Sequence, residues 1–480
     1  MKRVAIIGGG IAGLATAYYL QAQAGARNAP VEYTLIESAP YFGGKITSAH
    51  EQGFVVEGGP DSFITTKSTA IELCRALGLG DQLIGTNDAA RKVYVWSGGR
   101  LRAMPDGVML IIPSRLMPFI RSDLVSWPGK LRMGLDAFVP ARRDDEDESL
   151  AHFVRRRLGR EALDKIAEPM IAGIYVADAE YLSLKSTFPR FLDMEKKYGS
   201  LLRGVIAQRR AADAAKARAG NGIGKGNGKG PTSMFMTLRN GLSDLTNAIT
   251  RQLAPQSLLC NRSVVAIKRM EDRYELTLNG GGRMPADAVV FATPAYVTAD
   301  LVRDLDPVLA SQLAGIRYVS TATVSLGFKR DELNHSLQGF GFVVPRSEKR
   351  QILACTWSST KFDERAPEGH ALVRAFIGGA HAEPLAEEDD ATVAEIARRE
   401  IAASMGITAT PVLTRVYRWH KANPQYEVGH QARVAEVDRL AAQHTGLYLT
   451  GGAYHGVGIP DCIADGARVA EELVNKLEVS

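Results

Sequence analysis

The sequence predicts an α/β fold: a parallel sheet assembled from three separated chain segments, with an α+β domain inserted between them. Three observations carry this. The chain opens on a short β-branched run at residues 4–7, three glycines, an Ala/Leu-rich stretch, and a second strand candidate, "VEYTLIE". It closes on "GLYLTGGAYHGVGIPDCIADGARVAEELV", which reads as a strand, a glycine loop and an amphipathic helix. Between these ends, "SVVAIKRMEDRYELTLNGGGRMPADAVVFATP" reads as a hairpin followed by a strand. Apolar runs without polar alternation suit strands covered on both faces.

The opening segment admits two readings. Lys2 and Arg3 precede an uncharged run, residues 4–20, and Ala24-Gly25-Ala26 resembles a cleavage site, which is the pattern of a secretory signal peptide. The same residues spell G-x-G-x-x-G at Gly8, Gly10 and Gly13, between a strand and a helix, with Glu37 closing the second strand. Gly8 permits a tight turn, Gly10 lets backbone approach a pyrophosphate, and Gly13 lets helix pack on strand. The helix N-terminus faces the phosphates, and Glu37 accepts from a ribose hydroxyl. Three consecutive glycines sit badly in an apolar signal helix, so the expectation is a nucleotide-binding site of Rossmann type.

Composition is that of an ordinary globular protein, with 45% hydrophobic and 23% charged residues in a chain of 480. That length accommodates two domains with sizeable cores. A net charge of +5 spread over it does not suggest nucleic-acid binding, though it suits an anionic substrate. Cys74, Cys260, Cys355 and Cys462 are far apart and form no C-x-x-C, as expected of reduced cytoplasmic thiols. No later apolar run is long enough to span a bilayer.

"ESAPYFGGKITS" distinguishes between dinucleotides. A simple NAD domain would continue into another β-α-β repeat, whereas here Gly43-Gly44-Lys45 follows the acid, and then "GFVVEGGPDSF". This resembles the FAD-binding region of the flavin amine-oxidase superfamily. The resemblance implies that Lys45 meets the pyrophosphate and that the Val264 backbone meets the adenine. It further implies that the closing helix lays its N-terminus beside the isoalloxazine ring, where its dipole favours negative charge.

The expected organisation is an FAD-binding first segment at 1–78, a mainly helical substrate- or membrane-facing insertion at 79–231, an FAD-binding middle segment at 232–294, a strand-rich substrate domain at 295–432, and an FAD-binding C-terminal segment at 433–480. In the insertion, "MPDGVMLIIPSRLMPFIRSDLVSWPGKLRMGLDAFVP" mixes apolar clusters with Arg115, Arg121, Lys130 and Arg132. It reads as helices lining an apolar cavity, interrupted by Pro113, Pro118 and Pro128, or else as a patch touching a membrane surface. "AAKARAGNGIGKGNGKG" predicts a mobile surface loop over about 213–230, and it lacks the interleaved aromatics of a nucleic-acid binder. "TATVSLGFK", "GFGFVVP" and "ALVRAFIGG" suit an antiparallel sheet walling a ligand cavity.

"GGPDSF", "EPMIAGIYVADAEYLSLKSTFP", "MFMTLRNGLSDL", "WHKANPQYEVGH" and "GAYHGVGIPDCIADG" together resemble the protoporphyrinogen/coproporphyrinogen oxidase family of haem synthesis, over essentially the whole chain. The resemblance implies that FAD is held by Gly8, Gly9, Gly10, Ile11, Ala12, Gly13, Glu37, Ser38, Gly44, Lys45, Gly59, Pro60, Asp61, Ser62, Val264, Trp419, Gly456, Val457, Gly458 and Ile459. It places substrate contacts at Gly173 and Tyr175. The implied chemistry removes six hydrogens from a porphyrinogen in three two-electron steps, with O2 as acceptor and peroxide as product. The flavin carries that chemistry, so no metal or Ser-His-Asp constellation is needed and none is found. Asp61 is the one candidate for a catalytic carboxylate, against the reading that it accepts backbone hydrogen bonds in its turn. His455 reads as a spacer.

"MPDGVMLIIPSRLMPF" after "KVYVWSGGRL" looks closer to the bacterial coproporphyrinogen III branch than to protoporphyrinogen oxidases, with Leu110-Ile111-Ile112 departing from that branch's glycine. Four substrate carboxylates call for basic anchors. Lys92, Arg115 and Arg121 are available, but each reads equally as solvated surface, and that reading is preferred. An amine oxidase, a carotenoid-type desaturase or a non-catalytic flavin protein would share the scaffold. The expected partners are the porphyrinogen, O2 and a ferrochelatase for hand-over. The expected location is the cytoplasm, peripheral on the inner face of the membrane.

Overall fold

The computed structural model describes residues 2–109, 111–113, 115–218 and 233–479. At its centre a five-stranded parallel sheet runs in the order Leu258–Leu259, Val31–Ile36, Lys2–Ile7, Ala288–Phe291, Leu447–Leu449. Its strands come from three distant stretches of chain. Ile7 is flanked by Ile36 on one side and Phe291 on the other.

Successive residues of each strand feed opposite cores. Val4, Ile6, Leu35 and Val290 pack against the helices Ile11–Arg27, Ser243–Gln252 and Ile459–Val479. Ala5, Ile7, Ile36 and Val289 pack against a three-stranded meander and the helices Ala295–Val302, Pro307–Ala314 and His430–Ala441. Two covered faces explain why residues 4–7 show no polar alternation. Helices at 295–314, within the stretch expected to be strand-rich, therefore belong to the core of the parallel sheet.

A seven-stranded mixed sheet stands beside this unit, in the order Leu413–Pro424, Tyr318–Lys329, His370–Gly378, Ala354–Thr356, Gly341–Val343, Val93–Ser97, Arg100–Ala103. Its last two strands come from the segment expected to be mainly helical. "VYVWSGGRLRA" forms a hairpin there, because Gly98 and Gly99 adopt φ of 60° and 77° and so supply a tight turn matched to strand twist.

The helical layer covers one side of the cleft between the sheets, with Leu150–Arg157, Glu168–Tyr175, Pro189–Tyr198 and Leu201–Arg218 as its main helices. A buried ion pair organises it: Arg157 Nε donates to Asp136 Oδ1 at 2.6 Å, and Ser200 Oγ donates to Asp136 Oδ2 at 2.6 Å. The loop expected from about 213 instead begins as helix as far as Arg218, since "AADAAKAR" is rich in the strongest helix former. The remainder of that Gly/Lys/Asn stretch, and Leu110, lie outside the described residues.

Candidate functional site

The opening glycines stand at the C-terminal tip of the sheet. Gly8 has φ of 107°, and a Cβ there would lie 2.8 Å from the Ala292 carbonyl oxygen. Gly10 caps the helix Ile11–Arg27 without any side-chain hydrogen bond, and nothing lies within 4 Å of where its Cβ would be. An uncapped helix N-terminus facing open space fits a pyrophosphate. The Gly43-Gly44 loop is laid against this turn by the Gly43 amide donating to the Gly9 carbonyl at 2.8 Å.

Glu37 closes the neighbouring strand. Its carboxylate accepts from the Gly9 and Ala39 amides, each at 2.7 Å, and from Ser38 Oγ at 3.0 Å. The acid therefore braces the glycine turn as well as standing where a ribose hydroxyl is expected. Val264 opens the meander strand Val264–Met270 close by, two residues after Arg262, whose amide donates to the Glu37 carbonyl at 2.9 Å. Lys45 reaches across to the seven-stranded sheet. Its ammonium donates to the Ala422 carbonyl on the seven-stranded sheet, and desolvation among protein atoms lowers its pKa.

The 58–62 turn is held from above by the seven-stranded sheet. The Gly58 carbonyl accepts from Trp419 Nε1 at 2.9 Å, an Arg374 guanidinium nitrogen at 2.7 Å and Thr323 Oγ1 at 3.1 Å. The Gly59 carbonyl accepts from Arg374 as well, at 2.7 Å. Trp419 thus fixes this turn through its indole N–H. Asp61 accepts from Lys361 Nζ at 2.8 and 3.0 Å and from Ser62 Oγ at 2.7 Å. Burial works to raise its pKa, but the Lys361 ammonium outweighs it and holds the carboxyl at about 2. In this setting Asp61 is an ionised anchor, with little basicity left for proton abstraction.

The C-terminal turn completes the cleft. Tyr426 Oη donates to the Gly452 carbonyl at 3.0 Å and accepts the Gly456 amide at 2.9 Å. Asp465 accepts from Thr450 Oγ1 at 2.8 Å and the Gly451 amide at 3.1 Å. Gly456, Val457 and Gly458 then lead into the helix that begins at Ile459. Asp461 in its first turn pairs with Lys67. Val457 packs against the helical layer, and Tyr175 approaches Asp461 from the end of the helix Glu168–Tyr175. Burial, with the Asp461 charge, pushes the Tyr175 phenol up to about 12. Gly173 is exposed on the same helix, with Val343 Cγ1 3.7 Å from where its Cβ would be.

Four glycine turns and one helix end of the insertion are thus brought together. Other candidate residues are solvent-exposed. His455 is exposed, and its Nε2 lies 3.8 Å from Asp438 Oδ2. Lys92, Arg115 and Arg121 are exposed. Sequence reasoning missed Glu57, Lys361, Arg365, Arg374 and the tyrosine hydroxyl of "NPQYEVGH". A signal existed for Arg374, a charge interrupting the apolar strand "ALVRAFIGG", where an unpaired guanidinium would be too costly to bury. Among the described residues no cluster of metal-ligating side chains occurs, and no helix is long and apolar enough to cross a membrane.

Comparison with known proteins follows the same lines. The family model described as flavin containing amine oxidoreductase matches residues 11–474. Coproporphyrinogen III oxidase of Bacillus subtilis (strain 168) is 36% identical over 477 residues, spanning 99% of this chain and 98% of the relative. Protoporphyrinogen oxidase 1, chloroplastic, of Spinacia oleracea is 29% identical over 490 residues, spanning 98% of this chain and 84% of the relative. A crystal structure from Exiguobacterium sp. 255-15 superposes with a TM-score of 0.86 at 31% identity, covering 99% of both chains.

Proposed function

The chain belongs to the family of flavin-containing amine oxidoreductases, and from that premise we propose that it oxidises coproporphyrinogen III to coproporphyrin III. It is an FAD-dependent oxidoreductase, and FAD supplies the hydride acceptor that O2 regenerates, releasing H2O2. Six electrons leave the porphyrinogen in three two-electron steps. The observation that carries the substrate reading is the full-length similarity to a bacterial coproporphyrinogen III oxidase at 36% identity, against 29% for a plant protoporphyrinogen oxidase.

The residues of the cleft have stated tasks in this reading. Gly10 and the amides that follow it hold the pyrophosphate, Glu37 the ribose, and the 58–62 turn together with Gly456, Val457, Gly458 and Ile459 the flavin. Gly173 and Tyr175 face the tetrapyrrole. The helical layer shields the reacting face from water.

The finer features of location belong to the same proposal. Trp127, Leu131, Leu135 and Phe138 are 64, 70, 52 and 79% exposed on the helical layer, beside Arg121 and Lys130. An aromatic and aliphatic face flanked by cations suits shallow contact with an anionic bilayer from the cytoplasmic side. Product hand-over to a ferrochelatase would follow there.

The test is anaerobic mixing of the FAD-loaded protein with coproporphyrinogen III and, separately, protoporphyrinogen IX. Faster flavin bleaching by coproporphyrinogen is expected. Preference for protoporphyrinogen would move the enzyme to the alternative reading, and bleaching by neither would overturn the porphyrinogen reading itself.

A further inference from the structure

Two cavities share Arg365 in their walls, and one of them reaches Asp61 of the 58–62 turn. The outer one opens at the surface, has a volume of about 210 Å³, and is lined by Arg330, Ser336, Ser359, Thr360 and His370 among others. The inner one has room for about one water molecule and is lined by Glu57, Asp61, Ser325, Ser358, Arg365 and Arg374 among others. Arg365 stands in both walls, and Ser358 and Ser359 are chain neighbours on either side of the partition. None of the residues lining either cavity belongs to the helical layer that carries Gly173 and Tyr175.

Glu57 is the group lining the inner cavity that can change its protonation. It is 5% exposed, and its two oxygens accept from Ser48 Oγ at 2.6 Å and the Leu242 amide at 2.9 Å. Burial is the main cause that raises its carboxyl to about 7. The charges facing it are the Arg365 guanidinium at 3.9 Å and Arg374 on the strand His370–Gly378, with the Lys361–Asp61 pair beyond. The strand Ser48–Glu51 and the 242–243 stretch present a hydroxyl and an amide. Arginine does not deprotonate, and Asp61 is held ionised by Lys361, so neither can pass a proton.

The oxygen-using flavin chemistry has a proton requirement. Each O2 that leaves as H2O2 takes up two electrons and two protons; a hydride from substrate carries one hydrogen nucleus and both electrons, and the second proton must come separately. The porphyrinogen's own departing N–H proton is released on the substrate side.

We propose that Glu57 carries this second proton, taking it from water in the outer cavity and releasing it through the inner cavity towards the 58–62 turn. The carboxyl O–H breaks as water in the inner cavity gains the proton, and the carboxylate is reprotonated from the surface before the next O2. The proposal rests on the oxygen-using flavin reading and not on which porphyrinogen is oxidised.

The experiment uses FAD-loaded enzyme reduced anaerobically with dithionite and mixed with oxygenated buffer, in H2O and D2O, across the neutral pH range. No porphyrinogen is involved, so failure of the substrate reading leaves the test intact. Wild type is expected to reoxidise with a solvent isotope effect and a rate that falls as pH rises through about 7. Glu57→Gln is expected to slow reoxidation on the order of a hundredfold and to abolish both the pH step and the isotope effect. Glu57→Asp should recover part of the rate, and Thr360→Trp, which fills the outer cavity, should slow it with the carboxyl intact. An infrared carbonyl band of a protonated carboxyl, titrating near neutrality in wild type and absent from Glu57→Gln, reports the group independently of rate. Wild-type reoxidation kinetics in a Glu57→Gln protein that has lost this band would overturn the proposal. So would wild-type kinetics in both Glu57→Asp and Thr360→Trp, should Glu57→Gln fail to retain FAD.

Discussion

Gly13 packs directly on the carbonyl of Gly8: a Cβ on Gly13 would lie 1.9 Å from the Gly8 oxygen, while nothing stands within 4 Å of a Cβ on Gly10. One glycine of the motif is demanded by the protein's own packing and the other by room for a ligand. Gly13→Ala is therefore expected to destabilise the apoprotein by about 2 kcal/mol or more, through forced backbone movement. Gly10→Ala should leave apoprotein stability within about 0.5 kcal/mol and still fail to retain FAD. Melting of the apoproteins and the flavin-to-protein absorbance ratio distinguish the two. Equal melting temperatures for both variants would contradict the assignment.

Arg374 ties two carbonyls of the 58–62 turn while its own charge is buried. Arg374→Met should cost on the order of 3 kcal/mol in a denaturant melt, because it strands those carbonyls and removes a cation near Asp61. Arg374→Lys should recover only part of this, since both bonds leave one guanidinium nitrogen that the shorter lysine side chain does not bring to the same place. FAD affinity by fluorescence titration should fall in the same order.

Two carboxyls, Asp61 and Glu57, pull stability in opposite directions with pH. Asp61 titrates at about 2 in the fold against an ordinary 3.8, so its contribution is present above the ordinary value and is lost as pH falls through about 2. Lys361→Met should remove that acid-side dependence. Glu57 titrates at about 7 against an ordinary 4.5, so the folded state holds the extra proton between these values and stability declines as pH rises across that window. Thermal melts of Glu57→Gln from acid to neutral pH should lack this decline, which amounts to roughly 3 kcal/mol at most.

The Tyr426 hydroxyl bridges the Gly452 carbonyl and the Gly456 amide, and its ring stacks on His430 with centroids 4.0 Å apart. Tyr426→Phe keeps the stack and deletes the bridge. It should cost about 1–2 kcal/mol of stability and weaken FAD retention, because the turn before the closing helix loses its brace. Unchanged FAD affinity would remove the hydroxyl from the site.

Trp127 and Phe138 are the aromatic members of the exposed face on the helical layer. Replacing both with Ser should reduce co-sedimentation with anionic vesicles severalfold, and raised salt should reduce that of wild type. FAD content and turnover of detergent-dispersed substrate should stay as in wild type. Equal sedimentation of variant and wild type would remove membrane contact from the proposal.

Much of the cofactor side was legible because its logic is local. A strand, three glycines, a helix, a second strand and Glu37 occupy consecutive chain, and each role depends on backbone conformation or spacing that residue type reveals. The three-segment sheet was legible for a related reason, since strands covered on both faces leave unbroken apolar runs at residues 4–7, 288–291 and 447–449. The 93–103 hairpin was missed because its pattern is short and its partner, Gly341–Val343, is more than two hundred residues away in the chain.

By itself, the sequence determined the opening and closing glycine turns, the acid at the strand end and the pairing of a parallel sheet with a wall of mostly antiparallel strands. It did not reveal that wall's one parallel pair, Gly341–Val343 on Val93–Ser97. Tertiary structure alone decided which charges meet. Glu57, Asp61, Lys361, Arg365 and Arg374 form one network only because two sheets and the 58–62 turn converge. The Ala422 carbonyl meets the Lys45 ammonium for the same reason. Glycine acts through the conformation of its own backbone, which a short stretch specifies. A buried charge acts through neighbours that folding delivers from anywhere in the chain, and no local spacing encodes them.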